Sequence, residues 1–420
     1  MLLLISLSAL LLSVVFIQVG SGSLAPLDAL SGAALGFTSS QIGLLGSAHF
    51  FGLLIGCVVN PILIRRSGHA RSFAIMAAAS AISALMHPIY QDIYFWCVLR
   101  MLSGFAIAGA YTVIESWLQA KLNNNNRGRV FSVYRVADMS GVMLAQSIVA
   151  ALDPATYIAY NFIAMIACMS LLPLALTQSV PPELPERVTL KPFFALTISP
   201  LAGFGIFAAG MTNAAFRMVG PVYAIEIGLD ASSVAIYLVM GVLGGALVQI
   251  PAGYITDRFN RRYVLVGFSI AAVIVCLVTG FSAYGSVQSP LYGYIMAFLF
   301  GAVTMPIYSV CATHANDFTS KPDLVHLSAS LILMYSLGGI ASPYLSGWLI
   351  QVYGPGSMFI LISIIHIMLL IYSFWRMTIR PAMRITAYRY VPRTTMFINL
   401  FLRSRNNDTE EADNIPADRE

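Results

Sequence analysis

The stretch GYITDRFNRR, Gly253 to Arg262, sets Asp257, Arg258, Arg261 and Arg262 between two apolar runs, near residues 233 to 256 and 263 to 284. Each run has about the 20 residues that an α-helix needs to cross the hydrocarbon core of a bilayer. Four charged side chains with a polar backbone do not sit in hydrocarbon, so the stretch marks a return of the chain at one membrane face.

Working outward, the same alternation recurs along the whole chain. Apolar runs near 2 to 27, 42 to 64, 72 to 90, 94 to 118, 130 to 152 and 156 to 177 predict six helices, and those near 195 to 225, 233 to 256, 263 to 284, 290 to 314, 324 to 352 and 356 to 377 predict six more. Between the sets, TQSVPPELPERVTLKP from Thr177 to Pro192 carries prolines and charges. The predicted organisation is a six-helix bundle over 1 to 177, a cytoplasmic linker over 178 to 194, a second bundle over 195 to 377, and a cytoplasmic tail over 378 to 420 that is basic, then acidic and disordered. The fold class is an all-α membrane protein with twelve transmembrane helices in two pseudo-symmetric six-helix bundles.

Composition excludes the soluble alternatives. The chain is 58% hydrophobic and 10% charged, against roughly 45 to 50% and about 25% for soluble domains. The net charge of +5 is scattered through short loops with no basic stripe, which argues against nucleic acid as a partner. Cys57, Cys97, Cys168, Cys276 and Cys311 all lie in apolar runs without metal-ligand spacing, so neither a metal nor a cofactor is expected.

Short cytoplasmic loops collect Lys and Arg, whereas translocated loops lack them. With the N-terminus inside, one set of loops holds Arg65, Arg66, Arg71, Lys121, Arg127, Arg129, Arg187, Lys191, Arg258, Arg261, Arg262, Lys321 and eight arginines from Arg376 onward. The outward loops hold none, and Asp28, Asp92, Asp153 and Asp230 are assigned to them. Both termini are therefore expected in the cytoplasm, in a plasma (inner) membrane protein. The opening MLLLISLSALLLSVVFIQVGSGS also reads as a cleaved signal, but it lacks a basic n-region and its loss would break the repeat. The arginine and aromatic part of the tail either lies on the anionic inner leaflet or is solvated.

PILIRRSGHAR, Pro61 to Arg71, precedes the opening motif by 192 positions and keeps Arg66, Gly68 and Arg71. Together the two loops resemble the signature of major facilitator transporters, a Gly followed by an Asp-Arg pair, a Gly and basic residues. The second copy keeps Gly253, Asp257, Arg258, Arg261 and Arg262 and has Asn260 where the family has Gly, a residue tolerant of left-handed backbone. The first has Pro61 and Arg65 where Gly and Asp are usual. Spacing SxxFxGxxxG from Ser47 to Gly56, and VIES at 113 to 116 followed by NRGR at 126 to 129, resemble the YcaD-like branch. The resemblance implies two halves that rock about a midplane site. It assigns Arg66, Gly68, Gly253, Asp257, Arg258 and Arg262 to a cytoplasmic gate, against the simpler reading that the arginines only fix topology.

Three basic residues remain inside the membrane, Arg100, Arg135 and Arg217, where unpaired charge is costly. RMLSGFAIAG, Arg100 to Gly109, resembles the family's Arg-xxx-Gly motif, which in proton-coupled members lies near a proton-binding site. Glu115 and Arg135 fall at similar depth on adjacent helices, with Asp138 one turn on, giving either a proton switch or a permanent ion pair. Arg217 and Asn213 sit one turn apart on the seventh helix, which in the family lines the central cavity with helices one, four and ten. Arg217 either presents a fork to an anionic solute, pairs with an acid from another helix, or snorkels outward. The isolated His49, His314 and His366 are assigned no role. SLGGIASPYLSGWL, Ser336 to Leu349, resembles a Gly-xxx-Gly-Pro pattern that brings helices close. The fifth helix lacks the Gly-Pro pair of drug antiporters.

A secondary active transporter follows, moving a small solute, an anion where Arg217 receives it, by alternating access with proton coupling, in a monomer within the lipid bilayer. The alternatives are multidrug efflux and a non-transporting sensor or assembly factor on the same scaffold. No GxxxxGK[ST] loop provides for ATP, and no HExxH or GxSxG provides for an enzyme.

Overall fold

In a computed structural model, residues 2–120, 127–152, 156–175, 191–285, 289–319 and 323–379 are described. Most of the expected linker, the tail from Arg380, and the side chains of Lys121, Arg127, Arg129, Arg187 and Lys321 lie outside the described residues. Fifteen helices run in order: α1 Leu2–Ala34, α2 Ser39–Ser67, α3 His69–Met86, α4 Ile93–Ala120, α5 Arg127–Ala151, α6 Tyr157–Met169, α7 Leu171–Ala175, α8 Phe194–Ile198, α9 Pro200–Glu226, α10 Ala231–Arg258, α11 Arg261–Ser282, α12 Pro290–Thr304, α13 Pro306–Asn316, α14 Leu324–Tyr353 and α15 Ser357–Ile379. Three breaks, at Ser170, Ser199 and Met305, each interrupt one expected span, so α6–α7, α8–α9 and α12–α13 are single paths and the fifteen helices make twelve rods. The last two breaks stand immediately before Pro200 and Pro306, which open the next helix because their missing N–H is not needed there.

Among the described residues, nine of these rods are long and apolar enough to cross a membrane by length and composition. The other three contain α5, α9 and α14, which carry Arg135, Asp138, Asn213, Arg217 and several serines and so break the apolar pattern. Large apolar side chains such as Ile250, 82% exposed, and Ile371, 65% exposed, face outward, where hydrocarbon replaces water.

Packing repeats between the halves. In the first half α2 packs on α4, α1 on α5 and α3 on α6; in the second α10 packs on α12, α9 on α14 and α11 on α15. Those are the same pairs counted from the start of each set of six. The halves meet where α2 crosses α14 and where α5 crosses α10, again equivalent by the repeat.

The two ends of the bundle differ. One carries Arg65, Arg66, Arg71, Arg258 and Arg376. At the other, helices begin on side-chain caps: Thr38 accepts from Gln41 N, Asp92 from Phe95 N at 2.9 Å, Asp230 from Ser233 N and Ser289 from Tyr292 N. Oxygens at a helix N-terminus satisfy orphan N–H groups and suit the positive end of the helix dipole, so Asp92 and Asp230 at this end are caps. Hydrogen bonds from Ser233 hold the Asp230 carboxyl below the usual range.

Asp28 is the exception and corrects its assignment to an outward loop. The first helix runs on to Ala34 through Pro26, and Asp28 lies inside it, 2% exposed. A proline inside a membrane helix is tolerated because neighbouring helices and local adjustment satisfy the freed carbonyl.

Candidate solute site and charge clusters

A cavity of about 230 Å³ lies between the halves, walled by α1, α2, α4 and α5 on one side and α9, α10, α13 and α14 on the other. Toward the acidic end it is sealed by close helix crossing. A Cβ on Gly43 or Gly46 of α2 would strike Pro343 of α14, and one on Gly347 would strike Ser39. Tyr344 N donates to Ser47 Oγ across the same crossing at 3.1 Å, and Ser39 Oγ donates to Glu226 at 3.4 Å. The small residues of SLGGIASPYLSGWL therefore do bring helices together. Toward the basic end Cys57 and Ala108 meet Ile332 of the opposite half.

Arg217 and Asn213, one turn apart on α9, both line the cavity. Among the described residues no carboxylate lies within ion-pair distance of Arg217. Asn213 is 2% exposed, and neither its Oδ1 nor its Nδ2 has a hydrogen-bond partner there. His49 Nδ1, Ser336 Oγ and Gln146 Oε1 line the same space, also without partners. Buried amides and hydroxyls normally find partners, so this convergence of unsatisfied groups is complementary to a polar solute.

On the opposite wall Arg135 Nη1 lies 2.7 Å from Asp138 Oδ2, and Tyr111 donates to Asp138 Oδ1 at 2.6 Å. Glu115, fully buried, accepts from Tyr134 at 2.6 Å. The expected network of Glu115, Arg135 and Asp138 thus includes Arg135 against Asp138 and Tyr134 against Glu115. Successive helical residues point about 100° apart, so Tyr134 faces Glu115 while Arg135 turns to Asp138, three residues on.

Arg100 belongs to a different cluster. Its Nε lies 3.4 Å from Asp28 Oδ2, and its Nη2 donates to Met218 Sδ of the other half at 3.3 Å. His87, in the turn after α3, sets Nε2 at 3.4 Å from the same Asp28 oxygen and stacks on Tyr160, whose hydroxyl donates to Asp28 Oδ1 at 3.1 Å. Trp96 Nε1 donates to His87 O at 3.0 Å. Asp28, His87 and Tyr160 escaped the sequence reading, because Pro26 and Asp28 together mimic a loop and the partners come from separate helices. Gly104 of the Arg-xxx-Gly motif has a packing role, since a Cβ there would collide with His49 O on α2.

At the basic end Gly68 joins α2 to α3 at φ +79° and ψ 167°, a conformation essentially restricted to glycine. Arg66 is exposed beside it. In the second loop Asn260 does not take the left-handed form: at φ −59° its Oδ1 accepts from Arg262 N and caps α11. Gly253 lies within α10, Arg258 stacks over Tyr254 at 4.2 Å, and Arg262 is buried. Asp257 is exposed, with no Lys or Arg within ion-pair distance among the described residues, whereas Arg261 is ion-paired with Asp317 at the end of α13. Lys191 reaches Asp323 at 4.0 Å and lies over Phe194. Among the described residues no cluster of His, Cys, Asp and Glu is arranged to hold a metal ion.

The sequence profile of the Major Facilitator Superfamily matches residues 10–243 and 202–387. The MFS-type transporter YcaD of Escherichia fergusonii is 24% identical over 336 residues, covering 79% of this chain and 86% of the relative. YcaD of Salmonella enteritidis is 25% identical with the same coverage. Among solved structures, the nucleoside transporter NupG superposes with a TM-score of 0.73 at 16% identity, over 89% of this chain and 99% of its own. A D-xylose-proton symporter gives 0.66 at 14% identity, over 93% and 98%. At those identities the structural likeness concerns the fold.

Proposed function

The chain belongs to the major facilitator superfamily and is a secondary transporter, and from that premise we propose that it carries a small anionic solute by alternating access, coupled to protons. The observation that carries this reading is the cavity between the two repeat-related halves, lined by Arg217, with no carboxylate at ion-pair distance among the described residues, and by Asn213 with its amide unsatisfied. A guanidinium held in a low-dielectric cavity without a carboxylate favours an anion, because the solute then supplies the missing charge.

The bundles near 1 to 177 and 195 to 377 rock as bodies about this site, in a monomer whose termini are cytoplasmic and whose basic end faces the cytoplasm of the cell, across the plasma (inner) membrane. The Lys and Arg distribution supports that orientation. With the acidic end sealed by α2 against α14, the conformation described corresponds to closure on the outside. Arg66, Gly68, Gly253, Asp257, Arg258 and Arg262 lie at the end that must close in the opposite state. The exposed Asp257, which reaches Arg261 only beyond ion-pair distance, suits a gate contact that forms in one state and breaks in the other.

For proton coupling the strongest candidate is Asp138, which shares the cavity with Arg217 and holds Arg135 and Tyr111. Protonating it releases Arg135, so the charge seen by a bound anion depends on the proton. Glu115 with Tyr134, and Arg100 with Asp28, stand behind it as further buried charge.

The test is purified protein in liposomes holding a pH-sensitive dye, challenged with organic anions, sugars, amino acids and cationic drugs. Anion-dependent proton movement that Asp138→Asn removes supports the reading. Movement of cations or neutral solutes alone overturns the anionic substrate, and solute flux without proton flux overturns the coupling.

A further inference from the structure

We propose that the solute is a compact organic monoanion, a single carboxylate on a planar aromatic body, and that Arg217 and Asn213 hold its charged end. This rests on the transport reading above and narrows its substrate.

Charge counting in the cavity gives the first restriction. The charged side chains on its walls are Arg135 and Asp138 on α5 and Arg217 on α9. The first two neutralise each other at 2.7 Å. Arg100, behind the wall, lies against Asp28. Among the described wall residues Arg217 is thus the charged side chain with no opposite charge at ion-pair distance, and a solute with one negative charge supplies it. A second negative charge would be taken out of water with no partner.

Geometry gives the second restriction. Arg217 and Asn213 project from one face of α9 at i and i+4, so a carboxylate can accept from the guanidinium with one oxygen and from Asn213 Nδ2 with the other. A carboxylate is planar, which suits the guanidinium fork. Asn213 Oδ1 and Ser336 Oγ remain for one further polar group on the solute.

Beside the polar Gln18, Ser21, His49, Tyr111 and Gln146, much of the wall is apolar and of a particular kind. Phe50, Phe216, Tyr308 and Tyr335 present rings, and Met139 and Met305 present thioethers. Flat rings offer stacking and edge contacts to another ring, and methionine adapts its shape and makes favourable contacts with aromatic edges. Hydroxyl-rich solutes such as sugars would leave much of that wall against polar groups.

Size gives the third. A space of about 230 Å³ lies below the roughly 300 to 1,000 Å³ of cavities that hold drug-sized ligands, and so suits a compact solute on the scale of a substituted benzoate.

The experiment uses the full chain in nanodiscs and four matched probes: benzoate, the dianion phthalate, neutral benzamide and cationic benzylamine. Calorimetry and thermal stabilisation are expected to show benzoate binding at least tenfold more tightly than each of the others. Arg217→Gln should weaken benzoate at least tenfold and leave benzamide within twofold, Arg217→Lys should recover part of the loss, and Asn213→Ala should weaken benzoate severalfold. Size-exclusion profiles establish that each variant is folded. The proposal is overturned if benzamide equals benzoate, if phthalate binds more tightly, if Arg217→Gln leaves benzoate unchanged, or if wild-type protein binds none of the four. Counterflow of sugars, amino acids and cationic drugs in parallel proteoliposomes separates the two levels. Flux of such a solute with benzoate ignored removes the monoanion and leaves the transporter standing; silence for every solute, benzoate included, counts against both.

Discussion

Replacing Asp28 by asparagine removes one charge from a buried pair while nearly preserving volume. The side chains of Asp28 and Arg100 are 3% and 1% exposed, with Nε 3.4 Å from Oδ2. At that distance and an effective dielectric of about 20, their attraction is about 5 kcal/mol. Removing one member of a buried pair typically costs about 3 to 5 kcal/mol, because the survivor is left without compensation. Here Arg100 retains only the sulfur of Met218, a weak acceptor, at 3.3 Å. Asp28→Asn should therefore lower unfolding stability by at least about 3 kcal/mol, and Arg100→Met by a similar amount. The double variant should recover most of either loss, since an uncharged pair leaves no stranded charge. Unfolding in mild detergent can be followed by tryptophan emission, with Trp96, bonded to the His87 carbonyl, close to the cluster. Stability of Asp28→Asn within 0.5 kcal/mol of wild type, roughly the spread of surface substitutions, would refute the pairing argument, as would strict additivity in the double variant.

Other perturbations read other parts of the molecule. Gly46→Val should block closure at the acidic end, since a Cβ there meets Met218 and Pro343; counterflow should fall at least tenfold in monodisperse protein, and wild-type rates would disprove the seal. Asp138→Asn should abolish pH-gradient-driven accumulation while solute exchange persists, measured in the same vesicles. Gly68→Ala isolates backbone strain, because nothing lies within 4 Å of the added carbon; the expected cost is about 1 to 3 kcal/mol, and an unchanged unfolding midpoint would contradict it.

The bilayer makes topology legible because it restricts a spanning chain to a few solutions. The turns around Gly68 and Gly253 to Arg262 follow from that constraint together with the repeat, whereas Arg217 facing a cavity is one of three alternatives open to the sequence and rests on the family resemblance. Helix rotation is a different kind of information. Glu115 and Arg135 share a depth, yet it is Tyr134, one position earlier, that faces Glu115; depth is written in residue counts, whereas azimuth depends on how each helix packs. Asp28 failed for a related reason. Its sequence neighbours, Pro26 and the glycines around it, are loop-like in water, and only the partners supplied by His87, Arg100 and Tyr160 make a buried carboxylate stable there. With Arg100 neutralised by a residue read as a loop acid, and Arg135 by Asp138, one intramembrane arginine is left facing open space without a carboxylate. An anionic solute at Arg217 follows because Asp28 and Asp138 are each already engaged, by Arg100 and by Arg135.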